Sequence, residues 1–235
     1  MLGRRPFDRL TDGLGSRYAA LLVVVLVSIA IHPLVGVHRW VGWLRDLTYV
    51  ALVVAVLQAV ARHVRVYYAS LALGGCAAVV SILTDSFGFD ELYPYGAVLR
   101  LSLSAVVVVV ILVDVFGRDE IDTDAVFGAA CAYLLAGLGC GALYALVDWF
   151  LPGSFDAPMQ PQAVTDRFGP ETVESRLVYF SLVTMTTIGY GDVTPVSPPA
   201  RTLAALQGLL AQLYVAIIVA RLVGLELVTR SRRNR

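Results

Sequence analysis

Long apolar runs separated by short polar breaks dominate the pattern of this chain. Six of them approach or reach the length that a helix needs to cross the ~30 Å apolar layer of a bilayer. They cover residues 18–37, 47–61, 66–83, 97–116, 125–150 and 202–228. The second is the shortest, and Trp40, Trp43 and Arg62 suit its two membrane interfaces. The pattern predicts an all-α membrane protein with six transmembrane helices.

Composition supports a lipid environment for most of the chain. Apolar residues make up 58% of it, against roughly 45–50% in an average soluble domain. Charge gives no sign of a nucleic-acid partner, because 18 basic residues balance 18 acidic ones. A signal peptide is the competing interpretation of the first run, weakened by Asp8 and Asp12 in the long charged segment before it.

The cysteines and histidines do not form a predicted metal site. Cys76, Cys131 and Cys140 lie in apolar runs, where a thiol is usually a small buried hydrophobe rather than a disulfide partner or metal ligand. One predicted span separates His32 and His38 from His63, which places them on opposite membrane faces. We therefore expect no bound cofactor.

A short segment between the last two spans carries the most specific pattern. Residues 171–185 have apolar positions at helical spacing but are too few to cross a bilayer, which favours a re-entrant helix over a span broken by a turn. Pro170 and Glu171 suit its start. Residues 186–192 then read Thr-Thr-Ile-Gly-Tyr-Gly-Asp, and the two glycines permit backbone angles that other residues adopt only with strain.

Thr187, Ile188, Gly189, Tyr190, Gly191 and Asp192 match the form Thr-x-Gly-Tyr-Gly-Asp. In this the chain resembles the potassium-channel pore family over about its last 110 residues. The resemblance implies a re-entrant pore helix and selectivity filter between helices five and six. It implies that K⁺ binds the carbonyls of Thr187, Ile188, Gly189 and Tyr190 and the Thr187 hydroxyl, in rings to which four chains each give one oxygen. We therefore expect a homotetrameric, passive K⁺ channel and no enzyme, with Thr186, Gly191 and Asp192 supporting the filter.

Orientation follows from the resemblance and, separately, from arginine positions. Filters of this family re-enter from outside, which places both chain ends in the cytoplasm. Most arginines near the predicted span ends fall on the same side. We expect a multi-pass plasma-membrane protein with a cytoplasmic segment 1–17, a four-helix domain 18–116, a pore domain 125–228 and a basic cytoplasmic tail 229–235.

The support of Asp192 departs from the family pattern. Val183 occupies the position where some members carry a glutamate that pairs with this aspartate. Tyr179 aligns with a family tryptophan that donates to the aspartate, so we predict a Tyr179–Asp192 hydrogen bond. The alternative is an Asp192 that is only solvated.

The last span also departs from the family. The family's gating-hinge glycine aligns with Ala211, so Gly208 becomes the candidate hinge, with close helix packing as its other interpretation. The same alignment directs Gln212, Val215 and Val219 toward the cavity, although Gln212 could instead face lipid or a neighbouring helix.

Charged residues in the spans suggest little control by voltage. The fourth span contains Arg100 alone, so we predict weak or no voltage gating, with Arg100 paired to Asp90, Asp148 or headgroups. Asp114 has no obvious partner. Arg221 is expected to reach the cytoplasmic interface, with a role in a gate left open.

Two further features complete the expectations from the sequence. Gly137 and Gly141 in the fifth span predict close approach of another helix.

Two rival functions remain: a cation channel of low selectivity, and a six-span sensor or membrane enzyme with a vestigial filter.

Overall fold

A computed structural model of the chain describes residues 17–31, 64–87, 89–118, 122–157 and 172–233. Its long helices are α1 (Arg17–Ile31), α2 (Val64–Phe87), α3 (Tyr93–Phe116), α4 (Thr123–Phe150), α5 (Val173–Met185) and α6 (Pro198–Arg233). A short 3₁₀ helix, Asp90–Leu92, leads into α3. The predicted second span, residues 47–61, lies outside the described residues, as do the segments 1–16 and 234–235 of the predicted tails.

The described helices confirm an all-α membrane protein. Among the described residues, three helices are long and apolar enough to cross a bilayer: Tyr93–Phe116, Thr123–Phe150 and Pro198–Arg221. The apolar stretches of α1 and α2, Tyr18–Ile31 and Tyr68–Thr84, are shorter. The six-span topology therefore stays a prediction.

Helix α4 is the centre of the described fold, with α1, α3 and α5 packed around it. Its glycines allow this contact, as the sequence predicted. A Cβ on Gly141 would lie 2.8 Å from the Cα of Val178 in α5, and one on Gly137 would lie 2.9 Å from the Leu182 side chain. Gly139 faces α3 in the same way, where the Ser104 hydroxyl donates 2.7 Å to the Leu135 carbonyl. The close approach of α5 to α4 is therefore confirmed.

Two hydrophobic clusters lie at different positions along α4, one in its first half and one in its second half. One joins α1, α3 and α4 through buried residues that include Leu21, Ile111 and Leu135. The other joins α4, α5 and α6 through Tyr144, Leu177, Phe180 and Ala204. Rings of Tyr144, Phe155 and Phe180 meet edge to face in this second cluster, with centroids 5.2 to 5.4 Å apart. The second cluster fixes the position of α5, which carries the candidate site.

A two-stranded element was not expected from the sequence. Strand β1 (Phe155–Asp156) pairs antiparallel with β2 (Thr194–Pro195). Beside it, the Val196 amide donates 2.8 Å to the Ser154 carbonyl. This small sheet ties the chain just after α4 to the chain just before α6.

A polar cluster joins the ends of α1, α3 and α4. Arg118 contacts Asp114 at 2.6 Å, Asp122 at 2.7 Å and Asp124 at 3.0 Å. The Tyr18 hydroxyl donates 2.9 Å to Asp114 and the Tyr18 amide donates 3.0 Å to Asp124. Burial lowers the pKa of the Arg118 guanidinium, but its hydrogen bonds to Asp114 and Asp124 outweigh burial and hold that pKa above its ordinary value. The expectation that Asp114 lacks a partner was wrong. Arg118, four residues further on, was overlooked as a partner at helical spacing, and Tyr18, 96 residues away, is brought near only by the fold.

Candidate ion-conducting site

Helix α5 is the short helix that the sequence predicted. It precedes residues 186–192, here called the Gly-Tyr-Gly segment. It begins at Val173, two residues later than predicted, and ends at Met185 as predicted. Thr172 caps its start, with its hydroxyl accepting a 3.1 Å hydrogen bond from the Ser175 amide. Thr172 was missed, although a threonine just before an acidic first turn is a usual start signal. Pro170 and Glu171 lie outside the described residues.

The backbone after α5 is fastened to its last turn. The amides of Thr186, Thr187 and Ile188 donate to the carbonyls of Leu182, Thr184 and Val183, at 3.0, 3.2 and 3.1 Å. The Thr186 hydroxyl also donates 2.8 Å to the Leu182 carbonyl. The Thr187 hydroxyl donates 2.7 Å to the Thr186 carbonyl, and its oxygen can still accept from or coordinate another group. A shift of the last turn of α5 would therefore move Thr186, Thr187 and Ile188 with it.

Left-handed backbone recurs at every second residue of the Gly-Tyr-Gly segment. The φ angles are +59° at Thr187, +60° at Gly189 and +79° at Gly191, whereas Ile188 and Tyr190 keep negative φ. A left-handed threonine is uncommon and strained, and such strain concentrates at functional sites. Alternation of this kind lets successive carbonyls face one side of the chain.

The segment is exposed within one chain. Ile188 is 54% exposed and Tyr190 is 69% exposed, and beyond the adjacent residues no atom lies within 4 Å of a Cβ built on Gly189 or Gly191. The surface of the segment is therefore accessible to a neighbouring chain.

Asp192 is held by the contact that the sequence predicted. The Tyr179 hydroxyl donates 2.8 Å to one carboxylate oxygen of Asp192, and the Val193 amide donates 3.0 Å to the other. Val183, at the position of the absent glutamate, is a buried apolar residue on α5. The tyrosine therefore supplies a donor to Asp192 where a second carboxyl group is missing.

A buried polar network behind α5 was missed by the sequence analysis. The Tyr144 hydroxyl donates to the side-chain carbonyl of Gln207, and the Gln207 amide donates 2.6 Å to the Ser181 hydroxyl. Ser181 in turn donates 2.7 Å to the Gly137 carbonyl. The signal available was Gln207, one of two glutamines in the largely apolar first half of α6.

Two groups contact the carbonyl at the end of α5. The Tyr133 hydroxyl donates 2.8 Å to the Met185 carbonyl, and the Gln212 amide lies 3.5 Å from the same oxygen. Gln212 thus makes a helix-to-helix contact, one of the alternatives left open, while its side chain remains exposed in the single chain. Val215 and Val219 are also exposed, at 43% and 52%, and their orientation toward a cavity stays a prediction.

Gly208 is not required by close packing. A Cβ there would meet only the Thr184 methyl group, at an ordinary 3.9 Å. Helix α6 runs unbroken through it, so a hinge at Gly208 stays a prediction.

Arg100 has a partner that the sequence analysis did not name. Its Nε lies 3.2 Å from a carboxylate oxygen of Glu174 in the first turn of α5, and another nitrogen donates 3.0 Å to the Ser81 hydroxyl. Asp148 instead accepts a 3.1 Å bond from the Ser154 amide, and the Asp90 side chain lies outside the described part. The predicted pairing was wrong for Asp148 because tertiary packing, not sequence proximity, brings α5 beside α3.

The Arg221 side chain of α6 binds main-chain carbonyls, a contact beyond the position at the cytoplasmic membrane interface expected from the sequence. It donates 2.6 Å to the Phe116 carbonyl and 3.1 Å to the Arg118 carbonyl, and it lies 4.9 Å from the centre of the Phe116 ring. These carbonyls belong to the C-terminal end of α3 and the turn after it, where a cation is favoured.

Comparisons with known proteins agree with the resemblance. Residues 169–225 match the family described as Ion channel. A stretch of 94 residues is 33% identical to the protein named Two pore potassium channel c of rice, Oryza sativa subsp. japonica, and covers 40% of this chain. The same stretch spans 18% of the rice protein. No solved structure matches the chain. The similarity therefore covers the part that contains α5, the Gly-Tyr-Gly segment and most of α6.

Proposed function

We propose that this protein, whose pore segment belongs to the potassium-channel pore family, conducts K⁺ selectively and passively across a membrane. The observation that carries the proposal is the Gly-Tyr-Gly segment itself, with left-handed backbone at Thr187, Gly189 and Gly191 and its first amides bonded to the last turn of α5. A channel, rather than an enzyme, is what the family match indicates.

Potassium must lose most of its water to pass a narrow pore, and oxygens at matching separations can replace that water. In the proposal these are the carbonyls of Thr187, Ile188, Gly189 and Tyr190 with the Thr187 hydroxyl. The alternating backbone supports this role, because it can aim successive carbonyls at one axis. The partial negative charge at the C-terminal end of α5 adds a favourable field for a cation in the cavity below.

The working unit in this proposal is a homotetramer in a lipid bilayer. One chain has one filter motif, while a ring of oxygens around the ion needs four. The exposure of Ile188 and Tyr190 supports assembly, because non-helical backbone at membrane depth needs protein around it.

We further propose that the protein lies in the plasma membrane with both chain ends in the cytoplasm. We also propose that the channel responds weakly or not at all to voltage. Arg100 is the one basic residue of the fourth predicted span, and its contact with Glu174 holds that charge against the pore helix. One charge per subunit, anchored in this way, cannot supply a steep dependence on membrane potential.

The test is the reversal potential of purified protein in planar bilayers or liposomes with opposing K⁺ and Na⁺ gradients. A reversal potential near that of K⁺ is the expected result. Equal passage of Na⁺ would instead identify a cation channel of low selectivity. No current from well-folded protein at any voltage, pH or lipid composition would indicate a vestigial filter. Native mass spectrometry of the same sample measures whether four chains assemble.

A further inference from the structure

Gln207 is the polar centre of the contact between three helices of the pore. It lies on α6 and is 7% exposed, while its partners Tyr144 on α4 and Ser181 on α5 are 1% and 0% exposed. Burial of an amide is costly unless its donors and acceptor are used. Here the amide accepts from Tyr144 and donates to the Ser181 hydroxyl, and also lies 3.3 Å from the Ser181 carbonyl.

The direction of these hydrogen bonds is fixed by their neighbours. If the amide of Gln207 were reversed, its oxygen would face the Ser181 carbonyl, which can only accept. If the Ser181 hydroxyl turned toward that oxygen instead, it could no longer donate to the Gly137 carbonyl, 2.7 Å away. The network therefore needs an amide at position 207, with a donor toward α5 and an acceptor toward α4.

Ser181 lies close to the carbonyls that hold the filter. Leu182, Val183 and Thr184, the next three residues of α5, accept the amides of Thr186, Ile188 and Thr187. Gln207 is thus connected to the first filter residues in three steps. It bonds to Ser181, the next turn of α5 follows Ser181, and three backbone hydrogen bonds join that turn to residues 186–188. A small displacement of α5 would change the spacing of the carbonyl rings.

We infer that Gln207 is a positioning residue for the selectivity filter: it sets the placement of α5 against α4 and α6, and so the geometry with which the filter distinguishes K⁺ from Na⁺. The inference rests on the proposed function. It predicts that selectivity, not only assembly, depends on a hydrogen-bond donor at this position.

The sharpest test is Gln207→Glu, read as a pH profile of the K⁺/Na⁺ permeability ratio. A protonated carboxyl has one donor for Ser181 and one acceptor for Tyr144, whereas the ionised form can only accept. In the described cluster around Tyr144, the titratable side chains are the phenols of Tyr144, Tyr93 and Tyr179 and the thiol of Cys140, all ordinarily neutral at acid and neutral pH. Tyr179 in turn donates to the Asp192 carboxylate, which both the variant and the wild type retain. Loss of one buried hydrogen bond corresponds to about a five- to tenfold change.

We expect the permeability ratio of Gln207→Glu to be near wild type at low pH and about five- to tenfold lower once the carboxyl ionises. The wild-type profile, measured under the same conditions, controls for other titrating groups. Because a buried carboxyl ionises only at raised pH, the profile has to extend to about pH 10. A variant ratio that follows the wild-type profile over that whole range would overturn the inference.

Uncharged variants keep the inference testable if the carboxyl prevents folding. Gln207→Leu removes the donor and the acceptor, while Tyr144→Phe removes one hydroxyl and leaves the Gln207–Ser181 bond. Both should lower the permeability ratio in protein that elutes at the wild-type size. Thr202→Val, an exposed change on the same helix, is the matched control.

The outcomes separate this inference from the proposed function. Wild-type protein that does not select K⁺ defeats the proposed function and the inference with it. If the wild-type protein selects K⁺, and Gln207→Leu and Tyr144→Phe are as selective as the wild type, the inference fails and the proposed function stands.

Discussion

Arg100 of α3 and Glu174 of α5 form an ion pair, with 3.2 Å between the guanidinium Nε and a carboxylate oxygen. The two side chains are 16% and 19% exposed, and Arg100 also lies 5.9 Å from the centre of the Tyr93 ring. A charge held this way joins the helix before the pore domain to the start of the pore helix. It is a structural contact between two parts of the chain.

We predict that Arg100→Gln and Glu174→Gln each destabilise the protein. The double variant should lose less stability than the sum of the losses in the two single variants. Removal of one partner leaves the other charge mostly buried and without this ion pair, at a cost of about 1–3 kcal/mol. Thermal unfolding of the detergent-solubilised protein measures the three variants as a double-mutant cycle. Additive losses would show that the two side chains do not interact energetically.

Tyr179→Phe removes the hydroxyl that donates to Asp192 and keeps the ring. We expect faster loss of current during sustained opening, or lower K⁺ selectivity, because Asp192 then keeps only the Val193 amide as a described donor. Recordings of current decay and reversal potential measure both. Tyr95→Phe, an exposed tyrosine near the start of α3, is the control. Decay and selectivity unchanged from wild type would mean that solvent alone suffices for Asp192.

Gly189→Ala should abolish K⁺ flux. The obstacle is not space, since nothing lies within 4 Å of the added Cβ in one chain, but the φ of +60°. A left-handed alanine costs roughly 1–2 kcal/mol, and in a tetramer the cost is repeated in each subunit of the ring. Flux of K⁺ or its analogue thallium into liposomes measures the effect.

Gly153→Ala is the matched control for that variant. Gly153 has a φ of +82° and equally open surroundings, but it lies in the turn after α4, outside the filter. The Gly153→Ala variant should have a similar backbone strain and still conduct K⁺. A Gly189→Ala channel that assembles and conducts at wild-type rates would contradict the carbonyl filter.

Gly141→Ala should destabilise the pore domain by about 1–3 kcal/mol, because the new Cβ would lie 2.8 Å from the Cα of Val178, where backbone must move. Gly75→Ala, in the open on α2, provides the comparison, and there alanine should match or improve stability. Melting temperatures of the two variants test the difference. Equal melting temperatures would mean that α5 moves freely away from α4.

The sequence predicted the features that depend on local pattern and on the filter motif. Spacing gave the extent of α5 to within two residues, and Gly137 and Gly141 predicted the close approach of another helix without saying which one. The Tyr179–Asp192 bond was also predicted, because both residues belong to the segment that resembles the family. In each case the residues that carried the prediction lie close together in the chain.

Contacts between distant segments could not be predicted in the same way. Glu174 is 74 residues from Arg100, and Gln207 is 63 from Tyr144, so no periodicity relates them. Both glutamine and arginine have long side chains with several possible partners, and only the packing of α3, α4 and α5 selects among them. The paired strands β1 and β2 were missed because two residues are too few to show an alternating pattern.

The acceptors of Arg221 are main-chain oxygens of Phe116 and Arg118. Apart from the Phe116 ring, the contact is therefore indifferent to which side chains the end of α3 carries, and mutation there would leave it in place. It depends instead on register: inserting or deleting one residue near the end of α3 would turn the helix by about 100° and carry the Phe116 oxygen away from Arg221. The length of α3 is therefore a property that a working variant of this protein must keep.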